Sequence, residues 1–323
     1  MARVLERVTA TVRQQELFLP GQEVLACVSG GADSVCLVES LVRLRRLLRI
    51  RVSVFHFDHG LRPDSGKDVV YVERLADRLG LPFHLRRAEA SPPRGDSVEA
   101  WARNERVVAI SEVLRETGAG RAALGHTLDD QAETVLMRAI SGSGIDGLAG
   151  IKPGSGPWAH PLLDVRRAET EAFCRSLRLR PRTDPTNRDR RYLRNAIRLD
   201  AIPAVERAVG REIREPLART AALLRDDADE LSRRLFETWD EVFTETPDGG
   251  DLSVVGLLGL SPAIAGRVVR HAIFRCGHPA QQTDVEAVLD LARGRPGRRR
   301  DLSSGLKAGR EREYVHFSRP SPA

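Results

Sequence analysis

Lysine is nearly absent from this chain. Only Lys67, Lys152 and Lys307 occur in 323 residues, although 51 basic residues face 45 acidic ones for a formal charge of +6. The positive charge is therefore arginine, whose planar fork grips phosphate with paired hydrogen bonds and stacks on bases. A basic excess favours an anionic partner, nucleic acid first; a composition biased toward arginine is the plain alternative. Cysteine is scarce as well. Cys27, Cys36, Cys174 and Cys276 form no C-x-x-C pair, which argues against a zinc knuckle or a paired-thiol redox centre. No disulfide framework is apparent, so a cytoplasmic protein is expected. Long apolar runs are missing too. No stretch reaches the roughly 18 apolar residues of a membrane span, so no membrane role is expected. The N-terminal MARVLERVTATVRQQELFLPG lacks an apolar core and reads as an amphipathic helix rather than a secretory leader.

Hydrophobic residues make up 41% and charged residues 30%, the balance of a packed protein. The first half alternates strand and helix patterns: strands over 23–28, 51–57, 82–86 and 121–125, and helices over 33–48, 68–80, 97–117 and 129–140. This order predicts an α/β fold with a doubly wound parallel sheet. Residues 141–156 are glycine-rich and read as a loop, and a long helical segment over about 212–239 reads as a connector. The expected organisation is a catalytic domain over 1–211 and a smaller, mainly helical C-terminal domain over 212–323.

Two tempting motifs fail on context. Residues 142–147 fit G-x-G-x-x-G but follow a helix, not a strand, so they are no dinucleotide fingerprint. Residues 60–67 resemble a Walker loop, with one residue too many and Asp68 where Ser or Thr should meet magnesium. The stretch SGGADS over 29–34 passes, because it follows a predicted strand and opens a predicted helix. Gly30 and Gly31 allow close backbone approach, and their N–H groups with the helix N-terminus make an anion site. Ser29 and Ser34 offer hydroxyls. Asp33 would repel a bare phosphate, so a Mg²⁺ bridging carboxylate and phosphate is expected there. A capped strand-to-helix turn is the bland reading of the same residues.

S-G-G-x-D-S after a strand resembles the pyrophosphate loop of the PP-loop ATP pyrophosphatases, which split ATP into AMP and pyrophosphate while activating an oxygen. Four further stretches narrow the resemblance: HFDHGLRPDS (56–65), EAWARNER (99–106), GHTLDDQAET (125–134) and DPTNRDRRYLRNAIR (184–198). Their order and spacing are similar to the tRNA(Ile)-lysidine synthetase family over roughly the first 200 residues. That family adenylates the C2 oxygen of the wobble cytidine in a tRNA(Ile) with a CAU anticodon. The ε-amino group of free lysine then displaces AMP.

The resemblance implies an ATP site at Ser29, Gly30, Gly31, Ala32, Asp33, Ser34, His56 and Gly125. Asp129 and Glu133 lie four apart on one predicted helix face, with Asp130 beside them. These acids could hold a lysine ammonium or a magnesium, one of them could take the amine's proton, and helix-capping acids are the bland reading. The resemblance favours lysine for Asp129, Asp130 and Glu133. Asp33, Arg103 and Asp129 are the expected catalytic residues, Arg103 by neutralising the adenylate. His126 fits a structural and a catalytic reading equally. Arg62, Arg191, Arg194, Asn195 and Arg198 are expected at the tRNA, the arginines through its backbone, with Tyr192 beside them.

The chain departs from the family pattern at Ser141, where an arginine is usual before Gly-Ser-Gly, and at Thr183 and His160. It also ends earlier than longer members, so tRNA recognition is expected to rest on the anticodon arm and one C-terminal domain. A homodimer is left open. The rival readings are another PP-loop tRNA-modifying enzyme, such as a thiolase, or a basic RNA-binding protein with a degenerate nucleotide fold. The absence of paired cysteines weighs against the first, and the intact SGGADS with its clustered acids against the second.

Overall fold

A computed structural model describes residues 1–61, 64–89, 98–183, 186, 189–303 and 305–319. The chain divides into two compact units, Met1–Arg225 and Asp226–Ala323.

The first unit opens with α1 (Ala2–Gln14), β1 (Glu23–Cys27), α2 (Ala32–Leu48), β2 (Arg51–Asp58), α3 (Ser65–Leu79) and β3 (Phe83–Arg87). It continues with α4 (Val98–Thr117), β4 (Arg121–Ala123), α5 (Leu128–Ile140) and a short α6 (Ile145–Leu148). Next come the two-residue strands β5 (Gly154–Ser155) and β6 (Trp158–Ala159), then α7 (Arg167–Ser176) and α8 (Leu193–Ala196). A π-helical turn, Ile197–Ala201, leads into α9 (Ile202–Val209). The long α10 (Arg214–Val242) follows.

The sheet order is β3-β2-β1-β4-β6-β5, parallel except for the last pair. Crossover connections return the chain to the same edge, so the ends of the parallel strands β1, β2, β3, β4 and β6 face one rim. Strand β1 is buried on both sides, as parallel strands are. Val24 and Ala26 pack with Val35, Leu37 and Leu41 of α2, whereas Leu25 and Phe55 pack with Ile110 and Val113 of α4. That alternation is the period-two rule of a strand read from both faces. Helix α3 stops at Gly80, whose φ of 64° is left-handed.

The second unit contains β7 (Phe243–Thr246), β8 (Gly249–Ser253), α11 (Val254–Gly259), α12 (Pro262–Arg275) and α13 (Gln282–Arg293). Strands β9 (Arg299–Asp301), β10 (Lys307–Arg310) and β11 (Tyr314–Ser318) complete it. The expected helices are there. So is a five-stranded antiparallel sheet, ordered β7-β8-β11-β10-β9, which the sequence barely announces. Its strands are three to five residues long, and β8 begins with two glycines, which carry no alternation of hydrophobicity. Val315 and Phe317 of β11 are fully buried against Val268 and Ile273 of α12. Among the described residues, no helix is long and apolar enough to cross a membrane.

Candidate active site

The rim formed by the ends of β1, β2 and β4 collects the motifs. After β1 the backbone turns at Gly30, whose φ of +92° an L side chain rarely adopts. Gly31 caps α2. The Ser34 hydroxyl accepts the Ser29 N–H at 3.2 Å and donates to the Gly31 carbonyl at 2.9 Å, so the turn is closed on itself. Its carbonyl at Gly30 accepts the Arg182 N–H at 2.9 Å, and the Arg182 side chain pairs with Asp68 at 2.8 Å. From β2, His56 is buried and donates from Nδ1 to the Val28 carbonyl at 2.7 Å, since a carbonyl can only accept. Burial holds this imidazole below its usual pKa, so it buttresses the turn in the neutral Nδ1–H tautomer. From β4, Gly125 meets the turn directly. A Cβ there would lie 3.1 Å from the Asp33 carbonyl carbon and the Ser34 nitrogen.

Helix α5 starts with a capping box. The Thr127 N–H and hydroxyl both reach Asp130 at 2.8 Å, and Thr127 Oγ1 accepts the Asp130 N–H at 3.4 Å. Asp130 and Glu133 are buried. Three arginines surround them. Arg167 touches Asp130 at 2.9 Å and Glu133 at 3.1 Å, Arg194 both at 3.1 Å, and Arg198 Glu133 at 2.7 Å and Asp130 at 3.5 Å. Burial alone would raise the Asp130 carboxyl, but Arg167 and Arg194 hold it far below the usual carboxylate range. Arg167 also reaches Asp33, Nε to Oδ2, at 3.3 Å, and Thr170 donates its hydroxyl to the other Asp33 oxygen. Burial raises the Asp33 pKa against these donors. Asp129 points elsewhere. It accepts the Arg167 main-chain N–H at 2.8 Å and pairs with Arg214 at 3.2 Å.

The arginine-rich segment expected at the tRNA divides in two. Arg191 is exposed and pairs with Asp189 at 2.6 Å. Arg194 and Arg198, four apart, turn inward onto the acids just described. Asn195 is buried and its amide donates to the Thr186 and Asp189 carbonyls, both at 2.9 Å. Arg103 is exposed on α4. Arg62 lies outside the described residues, as does Arg188. His126 and His160 stand with ring centroids 4.9 Å apart. His160 donates from Nδ1 to the Lys152 carbonyl at 2.8 Å. The His126 Nδ1 is buried without a partner among the described residues, and burial next to His160 pushes its pKa down to about 3.

Arg167, Thr170 and Arg214 escaped the sequence reading. Their only signal is position at the starts of α7 and α10, and in so arginine-rich a chain a helix-opening arginine looks like surface. Among the described residues no group of three or more His, Cys, Asp or Glu is disposed to hold a metal ion. Magnesium needs no such cage when phosphates and water complete its octahedron around one or two carboxylates. Asp33, at the turn and partly exposed, fits that demand.

A closed turn of backbone N–H groups at the rim of a parallel sheet, an acid in its first helical turn and no lysine define an ATP-splitting fold of one class. Residues 3–205 match the PP-loop domain family. Over 99% of its length the chain is 37% identical to a tRNA(Ile)-lysidine synthase of Symbiobacterium thermophilum, covering 70% of that protein. It is 38% identical over 94% of its length to a tRNA(Ile)-lysidine synthase of Solibacter usitatus, covering 69% of it. The chain belongs to the tRNA(Ile)-lysidine synthase family. Among solved structures, the U34-tRNA thiolase NcsA from Methanococcus maripaludis shares the fold, with a TM-score of 0.57 over 69% of this chain and 80% of that one, at 16% identity.

Proposed function

We propose that the chain is an ATP-dependent carbon–nitrogen ligase that converts the wobble cytidine of a CAU-anticodon tRNA(Ile) to lysidine. The cytidine C2 oxygen attacks the α-phosphorus of ATP and pyrophosphate leaves. The lysine ε-nitrogen then attacks C2, the C2–O bond breaks, AMP departs with the oxygen, and the nitrogen loses its proton.

Each step has a matching group. The N–H groups of Gly30, Gly31 and Ala32 with the hydroxyls of Ser29 and Ser34 take the phosphates, and His56 and Gly125 keep the turn in place. Asp33 would hold a Mg²⁺ that neutralises phosphate charge when bound. Arg103, exposed on α4, is assigned to the adenylate. Asp130 and Glu133 receive the lysine ammonium. Asp129, held by the Arg167 main-chain N–H and by Arg214 rather than by the three arginines on the other two acids, is assigned to the proton the nitrogen releases. Arg191 and exposed arginines within residues 212–323, among them Arg299 and Arg300, serve the tRNA. Arg194, Arg198 and Asn195 serve it indirectly, by shaping the pocket.

The observation that carries this reading is one guanidinium, Arg167, touching both the phosphate-turn acid Asp33 and the α5 acids Asp130 and Glu133. It brings the phosphate turn and the α5 acids within one side chain's reach. The test is incubation with ATP, Mg²⁺, radiolabelled lysine and total tRNA. Lysine entering tRNA with equal AMP release is expected; AMP release without lysine transfer, or sulfur transfer instead, would sink the assignment.

A further inference from the structure

Arg167 is the one fork among the described residues that bridges the phosphate turn and the α5 acids. Its Nε faces Asp33 at 3.3 Å, Nη1 faces Glu133 at 3.1 Å and Nη2 faces Asp130 at 2.9 Å. Its main-chain N–H is held separately by Asp129 at 2.8 Å, so the side chain can move while α7 stays in place. None of the three carboxylates depends on it alone. Asp33 keeps the Thr170 hydroxyl, Asp130 keeps Thr127 and Arg194, and Glu133 keeps Arg194 and Arg198.

The charge count decides what this means. At the amine site itself, Asp130 and Glu133 against Arg167, Arg194 and Arg198 leave one net positive charge, since Asp33 belongs to the turn. An arriving ammonium therefore meets a cationic cluster whose oxygens already accept hydrogen bonds, and a buried cation without counter-charge is costly. With the Arg167 fork withdrawn to the turn, the two acids balance Arg194 and Arg198 and regain free lone pairs, which an ammonium can fill. Arg167 has somewhere to go, because ATP phosphates gathered at the adjacent turn are strong acceptors for a guanidinium fork.

We propose that Arg167 is a stand-in for the lysine ε-ammonium. It occupies Asp130 and Glu133 until nucleotide phosphates draw its fork toward the turn, and it thereby makes lysine binding conditional on ATP. This rests on the assignment of Asp130 and Glu133 to lysine. In this role Arg167 is a positioning residue, and the coupling is reciprocal, as any linkage between two sites must be.

The experiment measures thermal stabilisation of the full chain by lysine, with and without a non-hydrolysable ATP analogue, for wild type, Arg167→Gln and Arg167→Lys. Nε-acetyl-lysine, which has no ammonium, is the control. Wild type should respond to lysine at about tenfold lower concentration once the analogue is present, the effect of one coupling interaction of ordinary size. Arg167→Gln should show that heightened response without the analogue, and none to acetyl-lysine. Arg167→Lys reaches fewer acids and should fall between them, so it decides the matter should the glutamine variant fail to fold. A lysine requirement in these variants equal to or above that of nucleotide-free wild type overturns the inference while leaving the ligase reading intact. A wild-type chain that ignores lysine here and puts none into tRNA overturns that reading and this inference with it.

Discussion

Replacing Glu133 tests the centre of the site. Its side chain is 2% exposed and shares its two oxygens among Arg167, Arg194 and Arg198 at 2.7–3.1 Å. In Glu133→Ala those three guanidinium groups are left with Asp130 as the acid they all still reach. Breaking a buried pair by deleting one partner costs about 3–5 kcal/mol. The arginines are about a quarter exposed, so solvent screens part of that and about 2–4 kcal/mol is the expected loss. In a unit of this size, each kcal/mol moves Tm by about 2–4 °C, which gives a fall of roughly 5–15 °C. Glu133→Gln keeps the shape and one acceptor and should lose less than half as much. Differential scanning calorimetry of wild type and both variants measures this. AMP release against lysine concentration, run well below the lowest Tm, then separates binding from folding. The glutamine variant should need at least about tenfold more lysine, the loss of one charge-assisted contact. An alanine variant melting within about 2 °C of wild type would refute the buried network. A glutamine variant with an unchanged lysine requirement would remove Glu133 from the amine site.

Other expectations come from neighbouring groups. Gly125→Ala should press its Cβ onto the Asp33–Ser34 backbone, where nothing flexible can yield, costing about 1–3 kcal/mol and most of the AMP formation; normal turnover would show that the turn tolerates displacement. Asp33→Asn should keep the Thr170 contact and tRNA binding in a filter assay but lower pyrophosphate release by about 100-fold or more; retained release would dismiss the magnesium role. Arg191→Ala should leave Tm unchanged and reduce the salt slope of tRNA binding by about one, whereas Arg194→Ala should lower Tm; unchanged binding in the first removes Arg191 from the interface. The buried neutral histidines set the acid side of stability. His126, with its pKa down at about 3, and His56 and His160, both lowered by burial, bind fewer protons folded than unfolded below pH 6.5. Their contribution is therefore present above that pH and lost as pH falls toward 3. His316 runs the other way. Burial opposes its protonation, but Asp251 and Asp248 raise its pKa, so its smaller, partly exposed contribution is lost as pH rises through that value. The urea midpoint should fall between pH 7.5 and 5.0, and fall less in His126→Gln; equal midpoints at both pH values would contradict this.

The alternating apolar strands and capped helices of the first half determined the doubly wound sheet, because period two and period 3.6 are written in local order and survive without tertiary context. The same holds for the phosphate turn. Gly30 needs its left-handed φ wherever the chain goes, and SGGADS between strand and helix can close only at the rim. The spacing of Asp129, Asp130 and Glu133 likewise predicted acids gathered at the start of one helix. Local order could not say which of them faces which partner. Asp129 and Asp130 are adjacent in sequence yet point to different arginines, because the Thr127 capping box claims Asp130 and turns Asp129 toward the start of α7. Nor could it tell Arg191, in solvent, from Arg194 and Arg198, which are half-buried against the acids; all three look like one basic run. Arg167 was invisible for the same reason. It lies 34 residues from Glu133 and 134 from Asp33, and only the packing of α7 beside α2 and α5 brings the three together. In the second unit, short strands with paired glycines carry too little periodicity to announce a sheet, so it was long-range pairing that decided it. The sequence determined what chemistry the rim can hold; the tertiary structure decided which charges meet there, since ion pairing depends on distance in space and the chain encodes only distance along itself.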